Sequence, residues 1–247
     1  MMMLRSLVFK VAFILATFFW STLILMMLVL PFKWRHYIGT FWADTVIWLA
    51  RVICGIRWEV HGHEHIPDQA CILVVNHQSN WETFFTTLLQ RKQVWLLKKE
   101  LVKMPYVGWA MHAMGPVAID RKQGREALKM LMEEGKQRLD SGYSLVIYPE
   151  GTRSAVDAPQ PFKVGAGRLA HDVGVPVIPI AHNAGQFWPK KGCMHSGTVQ
   201  IIVGEPINIE GKSAKEINQM AETWISTERA RIVNAEKARR GEAIASI

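Results

Sequence analysis

Cys71-Ile72-Leu73-Val74-Val75-Asn76-His77-Gln78-Ser79-Asn80-Trp81-Glu82 is the stretch whose reading decides the fold. Its first five residues are an unbroken apolar run, which reads as a buried strand. Trp81 to Leu89 predicts a helix. His77 and Glu82 therefore fall on a turn that leads from the C-terminal end of a strand into a helix. Open α/β sheets place their sites at such turns. A carboxylate that holds one imidazole nitrogen leaves the other to accept a proton, which suits deprotonation of a hydroxyl.

Three more blocks follow. Gly115-Pro116-Val117-Ala118-Ile119-Asp120-Arg121 predicts a short strand ending in Asp-Arg. Tyr148-Pro149-Glu150-Gly151-Thr152-Arg153 follows the strand-like Ser144 to Ile147. There Pro and Gly stop the strand, and backbone N–H groups are exposed beside an Arg whose fork of donors suits phosphate oxygens. Val175-Pro176-Val177-Ile178-Pro179-Ile180 is an apolar run interrupted by prolines, which predicts a strand near a sheet edge.

In this order, over about Val60 to Pro206, the four blocks resemble the glycerolipid acyltransferases, in particular the 1-acylglycerol-3-phosphate acyltransferases. One departure matters, because Glu82 stands where that family usually has Asp. The added methylene requires the helix start or the rotamer to adjust if contact with His77 is kept. The resemblance implies a single α/β acyltransferase domain with a mixed, largely parallel sheet. It implies transfer of an acyl chain from acyl-CoA or acyl-acyl carrier protein to the sn-2 hydroxyl of 1-acyl-sn-glycerol 3-phosphate, giving phosphatidic acid in phospholipid biosynthesis. His77 is then the general base and Glu82 its orienting carboxylate. Arg153, Arg121 and Lys98 are the phosphate-binding cations, with Lys98 favoured over Lys99. Glu150 organises the binding loop, and Gly151 and Thr152 let the backbone approach the substrate. Ser79 is a turn residue, since the G-x-S-x-G elbow of a serine nucleophile is absent. No metal and no prosthetic group are implied. Two other readings stay open: an acyltransferase for another lyso-lipid such as a lyso-ornithine lipid, and a non-catalytic membrane lipid-binding protein. The Glu form of the pair also occurs in late lipid A acyltransferases, but the Pro-Glu-Gly-Thr-Arg block argues against them.

The chain has 247 residues and a formal net charge of +8. Such an excess fits nucleic acid, an acidic carrier protein or anionic lipid. The stretch from Val11 to Leu30 argues against nucleic acid, because it carries no charged residue and is long enough to cross a bilayer. Tyr37 to Ile53, with Trp42, Trp48 and Arg51, predicts an amphipathic helix that lies in the interface, and a simple crossing helix stays open as the other arrangement of the N-terminal segment. Residues 1–55 therefore read as a two-helix membrane element and 56–247 as the catalytic domain. The three cysteines form no CxxC pair. Reduced thiols fit a domain on the cytosolic side of an inner membrane. His61, His63 and His65 alternate as zinc ligands on one strand face would, but nothing nearby completes a site, and they read as structural.

Other signals fill in the domain. Strands are predicted over Ile56–Val60, Gln93–Leu97 and Thr198–Val203, with a helix over Gln123–Leu139 and a short one around Arg168. Ser213 and Glu216 mark a capping box. Ile217, Met220, Ala221, Trp224 and Ile225 line one face of the helix it starts, and Arg239–Ile247 reads as a frayed tail.

Overall fold

The computed structural model describes residues 1–120 and 123–242. Its framework is a seven-stranded sheet in the order β1-β7-β6-β2-β5-β3-β4. The strands are β1 (Ile56–His61), β2 (Ile72–Val75), β3 (Gln93–Lys98), β4 (Val117–Ile119), β5 (Ser144–Ile147), β6 (Val177–His182) and β7 (Gly197–Val203). All neighbours pair in parallel except β6 with β7. The mixed, largely parallel α/β fold is therefore present.

Strand alternation builds two cores. Leu73 and Val75 of β2 point into the cluster formed with α1 (Met2–Met26), α2 (Phe32–Cys54) and α3 (Trp81–Leu89). Ile72 and Val74 point the other way, toward α6 (Gly124–Asp140), α7 (Gly165–Val173) and α8 (Ala214–Arg240). This is why the run from Cys71 to Val75 is apolar throughout: the strand is buried on both faces. Between β3 and β4 lie two short helices, α4 (Lys99–Val102) and α5 (Val107–Ala113).

The chain leaves β2 through α3 for β3, passing over β5, and leaves β5 through α7 for β6, passing over β2. The two crossovers diverge from adjacent central strands, and open α/β sheets place their crevice outside the C-terminal strand ends at such a switch point.

Two expectations are corrected. The proline-punctuated strand β6 lies inside the sheet, between β7 and β2. Pro179 is tolerated there because pairing with β7 begins only at Ile180. On that side Pro179 offers its carbonyl, which accepts the Gly204 N–H at 2.8 Å. The first helix starts at Met2, ahead of the charge-free stretch, so Arg5 and Lys10 lie on it. Arg239 and Arg240 belong to α8, which ends on Gly241 in a left-handed cap; 243–247 lie outside the described residues. The Ser213–Glu216 capping box is formed. Ile217, Ala221 and Ile225 of α8 are buried, whereas Met220 is exposed.

By length and composition α1 with its short extension, and α2, are both able to cross a membrane. Nevertheless α1 lies along the domain. Ser6 Oγ accepts the Met194 N–H at 2.9 Å. Phe9 packs edge-on to Trp188, Phe13 edge-on to Phe84, and Trp20 Nε1 donates to Thr45 of α2 at 3.0 Å. The opposite stripe, with Leu4, Leu7, Val11, Ile14, Leu15 and Phe19, is exposed.

Candidate active site

His77 stands two residues beyond the end of β2. Its Nδ1 lies 2.9 Å from Glu82 Oε1. The same oxygen accepts the backbone N–H groups of Gln78 (2.9 Å) and Ser79 (2.8 Å). Glu82 is the second residue of α3, so its carboxylate also faces the positive end of that helix. Its extra methylene is absorbed by this reach back across the turn. Ser79 Oγ accepts the Trp81 N–H at 3.0 Å, which shapes the turn.

Burial opposes the charge on Glu82, yet its carboxyl is held below the usual range. Attraction to the His182 and His77 imidazoles whenever these are protonated, and hydrogen bonds from His77 and the Ser79 N–H, outweigh the loss of water. The hydrogen bonds persist when both imidazoles are neutral. His77 is 8% exposed and stacks on the Tyr148 ring at 4.4 Å. Its Nε2 has no hydrogen-bond partner among the described residues, while Nδ1 is held by Glu82.

The peptide of His77 is fixed from both neighbouring strands. Glu150, just past β5, accepts the His77 N–H at 2.8 Å. The Ser154 N–H donates to the His77 carbonyl at 2.8 Å. On the other side, the end of β6 is clasped to Asn76. His182 Nε2–H donates to the Asn76 carbonyl (2.7 Å), the His182 N–H to Asn76 Oδ1 (2.9 Å), and Asn76 Nδ2 to the His182 carbonyl (3.1 Å). Burial pushes the His182 imidazole below its ordinary value, and its Nδ1 accepts the Ala184 N–H, so the clasp is made by the neutral ring. Burial likewise raises the Glu150 carboxyl.

His77, Glu82 and Glu150 are thus in direct contact, and Gly151, Thr152 and Arg153 follow on the same turn. Gly151 has φ +72, and a Cβ there would meet Lys163 Nζ at 2.8 Å. Lys163 therefore lies over this turn. Arg153 is half-buried, and its carbonyl accepts Lys190 Nζ at 3.0 Å. Lys98 ends β3, two strands from β2, or about 10 Å at ordinary strand spacing. The pairs Ile72↔Leu145 and Val94↔Leu145 put Lys98 level with Asn76. Its ammonium is exposed and lies 3.2 Å from Glu100. Arg121 lies outside the described residues. A cavity of about 300 Å³ opens between α6 and the ends of β3, β4 and β5, lined by Leu96, Ile119, Leu128, Leu131 and Ile147 with Lys163 among its walls.

His182, Ser154 and Lys163 carry no signal in the sequence pattern, because their roles arise from contacts 77 to 106 residues apart or across a turn. The three early histidines diverge. His61 reaches Gln200, His63 the Leu89 carbonyl and His65 the Val203 carbonyl.

Sheet, switch point and buried imidazole–carboxylate pair together place a candidate proton acceptor at the end of a central strand of an α/β domain. A model of the family described as Acyltransferase matches residues 57–183. A 1-acyl-sn-glycerol-3-phosphate acyltransferase of Pseudomonas aeruginosa is 41% identical over 235 residues, covering 93% of this chain and 91% of that protein. The 1-acyl-sn-glycerol-3-phosphate acyltransferase alpha of Mus musculus is 32% identical over 70% of this chain, and the chain spans 63% of its length. The crystal structure of PlsC from Thermotoga maritima, a 1-acyl-sn-glycerophosphate (LPA) acyltransferase, shares the fold with a TM-score of 0.76 at 23% identity, covering 94% of this chain and 98% of that one. The chain belongs to the acyltransferase family, in the group of the 1-acyl-sn-glycerol-3-phosphate acyltransferases.

Proposed function

We propose that this enzyme moves an acyl group from acyl-CoA or acyl-acyl carrier protein to the sn-2 hydroxyl of 1-acyl-sn-glycerol 3-phosphate, giving phosphatidic acid. The observation that carries the reading is the buried His77–Glu82 pair, which holds Nδ1 and leaves Nε2 without a partner among the described residues. With Nδ1–H donated to the Glu82 carboxylate, the lone pair sits on Nε2. Nε2 takes the hydroxyl proton as the acceptor oxygen bonds to the thioester carbonyl carbon, and the carbonyl electron pair moves onto its oxygen. When the intermediate collapses, the C–S bond breaks, its electrons leave with sulfur, and the imidazolium returns the proton to the thiolate. Between these steps the Glu82 charge stabilises the imidazolium. No step here calls for a metal or a prosthetic group.

Lys98, Arg121 and Arg153 are assigned to the acceptor phosphate, where charge-assisted hydrogen bonds are strong. Glu150, Gly151 and Thr152 are assigned to the shape of the loop beneath it. The apolar cavity between α6 and the strand ends, with Lys163 in its wall, suits part of an acyl chain near an anionic group. The bare stripe of α1 lies in one leaflet, and the domain faces the cytosol, where Cys54, Cys71 and Cys193 stay reduced.

The test offers labelled acyl-CoA and acyl-acyl carrier protein to the detergent-purified enzyme with lysophosphatidate, glycerol 3-phosphate or a lyso-ornithine lipid. Phosphatidic acid from lysophosphatidate is expected, and the productive thioester names the donor. Turnover confined to another acceptor would discard the substrate assignment. Lipid binding without any turnover would favour the non-catalytic reading.

A further inference from the structure

The segment between β3 and β4 bears an apolar surface that neither core absorbs. Leu101, Met104 and Trp109 are 38%, 46% and 58% exposed. Backbone bonds draw them together: Met104 N–H to the Leu101 carbonyl at 3.3 Å and Gly108 N–H to the Met104 carbonyl at 3.0 Å. Gly108 packs so closely that a Cβ would meet the Leu101 carbonyl oxygen at 2.6 Å. The start of α5 is thereby pressed onto the end of α4, and the three large side chains stay outside.

The turn between the two helices is strained. Tyr106 has φ 66 and ψ −72, and the Val107 N–H donates to the Pro105 carbonyl at 2.8 Å. This is the rare γ-turn with positive φ, which a non-glycine residue adopts only when its surroundings hold it there. Here α1 does so. The Tyr106 ring stacks on Phe18 at 5.5 Å, and its hydroxyl hydrogen-bonds Thr22. Phe18 belongs to the exposed stripe of α1. The strain therefore fastens this segment to the bare apolar face of a helix able by length and composition to enter a bilayer. The charge of the segment is complementary to an anionic surface. Lys98, Lys99 and Lys103 stand against a single acid, Glu100, which is paired with Lys98.

From this we infer that Lys99–Trp109 is a second bilayer contact, which enters the headgroup region of an anionic leaflet beside α1 and holds Lys98 at the lipid surface. Trp109 and the lysines are the residue types that settle at that depth. A lysolipid would then pass laterally from the leaflet toward Lys98 without crossing water. The inference rests on the acyl-transfer reading above.

The experiment compares the full-length wild type with a Leu101→Ser/Met104→Ser/Trp109→Ser variant on two acceptors. One is long-chain lysophosphatidate embedded in phosphatidylglycerol vesicles, and the other is a short-chain, monomerically soluble lysophosphatidate. The apparent KM is expected to rise about tenfold for the embedded acceptor and to stay within about twofold for the soluble one. An unchanged KM on vesicles, or equal rises on both acceptors, overturns the inference. If the triple variant is inactive on both, Lys99→Gln/Lys103→Gln decides. Its KM must rise on phosphatidylglycerol vesicles and not on phosphatidylcholine vesicles. A defect confined to the acyl-acyl carrier protein donor, on either acceptor, would make the patch a carrier-protein site and overturn the bilayer assignment. If the wild type acylates neither acceptor, the acyl-transfer reading fails by itself. The difference in fluorescence quenching by brominated phosphatidylglycerol between wild type and Trp109→Phe then tests the surface alone, and no difference overturns it.

Discussion

The two halves of the crevice are built differently. At the ends of β2, β5 and β6, His77, Glu82, Glu150, Ser154 and His182 are all buried, and hydrogen bonds tie each to the turn that carries His77. At the end of β3, Lys98 is exposed and meets one carboxylate, and Arg153 on the neighbouring turn is half-buried. Under the proposed assignment the difference matches two tasks. Proton transfer needs a base held within a few tenths of an ångström and a carboxylate kept ionised. Gripping a phosphate on a mobile lipid needs charge and reach, which long cationic side chains supply from a solvated rim.

This contrast makes His77 and Glu82 sites where kcat is lost, and Lys98 and Arg153 sites where KM rises. His77→Ala is expected to lower kcat by about 10³-fold or more with little change in KM. Glu82→Gln removes the charge while leaving an acceptor oxygen, and a kcat loss of about 10²-fold or more is expected, whereas Glu82→Asp keeps substantial activity. Steady-state kinetics on the three variants checks this, and equal rates for Glu82→Gln and wild type would remove the orienting role. Arg153→Gln and Lys98→Gln should each raise KM for lysophosphatidate about tenfold with kcat within about threefold. A selective kcat loss at either would erase the division between the halves.

Smaller effects sharpen the same comparison through stability. His182→Ala strips the clasp from Asn76, and a loss of about 1–3 kcal/mol is expected by chemical denaturation. Because the folded His182 binds its proton less readily than the unfolded chain does, its contribution is present above the ordinary imidazole value and is lost as pH falls through it. The wild-type Tm should therefore drop between about pH 7.5 and about pH 5.5, and His182→Ala should flatten that slope. Glu82, also depressed, adds a loss further down, as pH falls from the ordinary carboxylate value through its own. Glu150 is raised, so its buried charge costs stability above its folded value and the cost is relieved by acid. Glu150→Gln keeps an acceptor for the His77 N–H without that charge, and its Tm should lie within about 2 °C of wild type or above it.

The buried half was also the more legible. Apolar runs closed by Asn-His or Tyr-Pro-Glu-Gly gave β2 and β5 their ends, because a strand buried on both faces has no polar position to blur it. Trp81–Leu89 was bounded by its turn. Pro176 and Pro179 misdirected the placement of β6, since a proline reports only its own missing donor and not whether the neighbouring strand has already ended. The charge-free window does not bound α1, because such a window measures bilayer compatibility, and Arg5 and Lys10 are acceptable on the helix outside it. His182 and Lys163 could not be read at all: one is significant through Asn76, 106 residues away, the other through lying over Gly151.

The central claim is that catalysis and grip reside in different halves of the crevice. Its most direct test is to measure lysophosphatidate binding and single-turnover acyl transfer on one preparation of His77→Ala. Binding within about threefold of wild type, with transfer slowed by about 10³-fold or more, is predicted. Transfer within about tenfold of wild type would contradict the account, as would a loss of binding that alone explains the loss of rate.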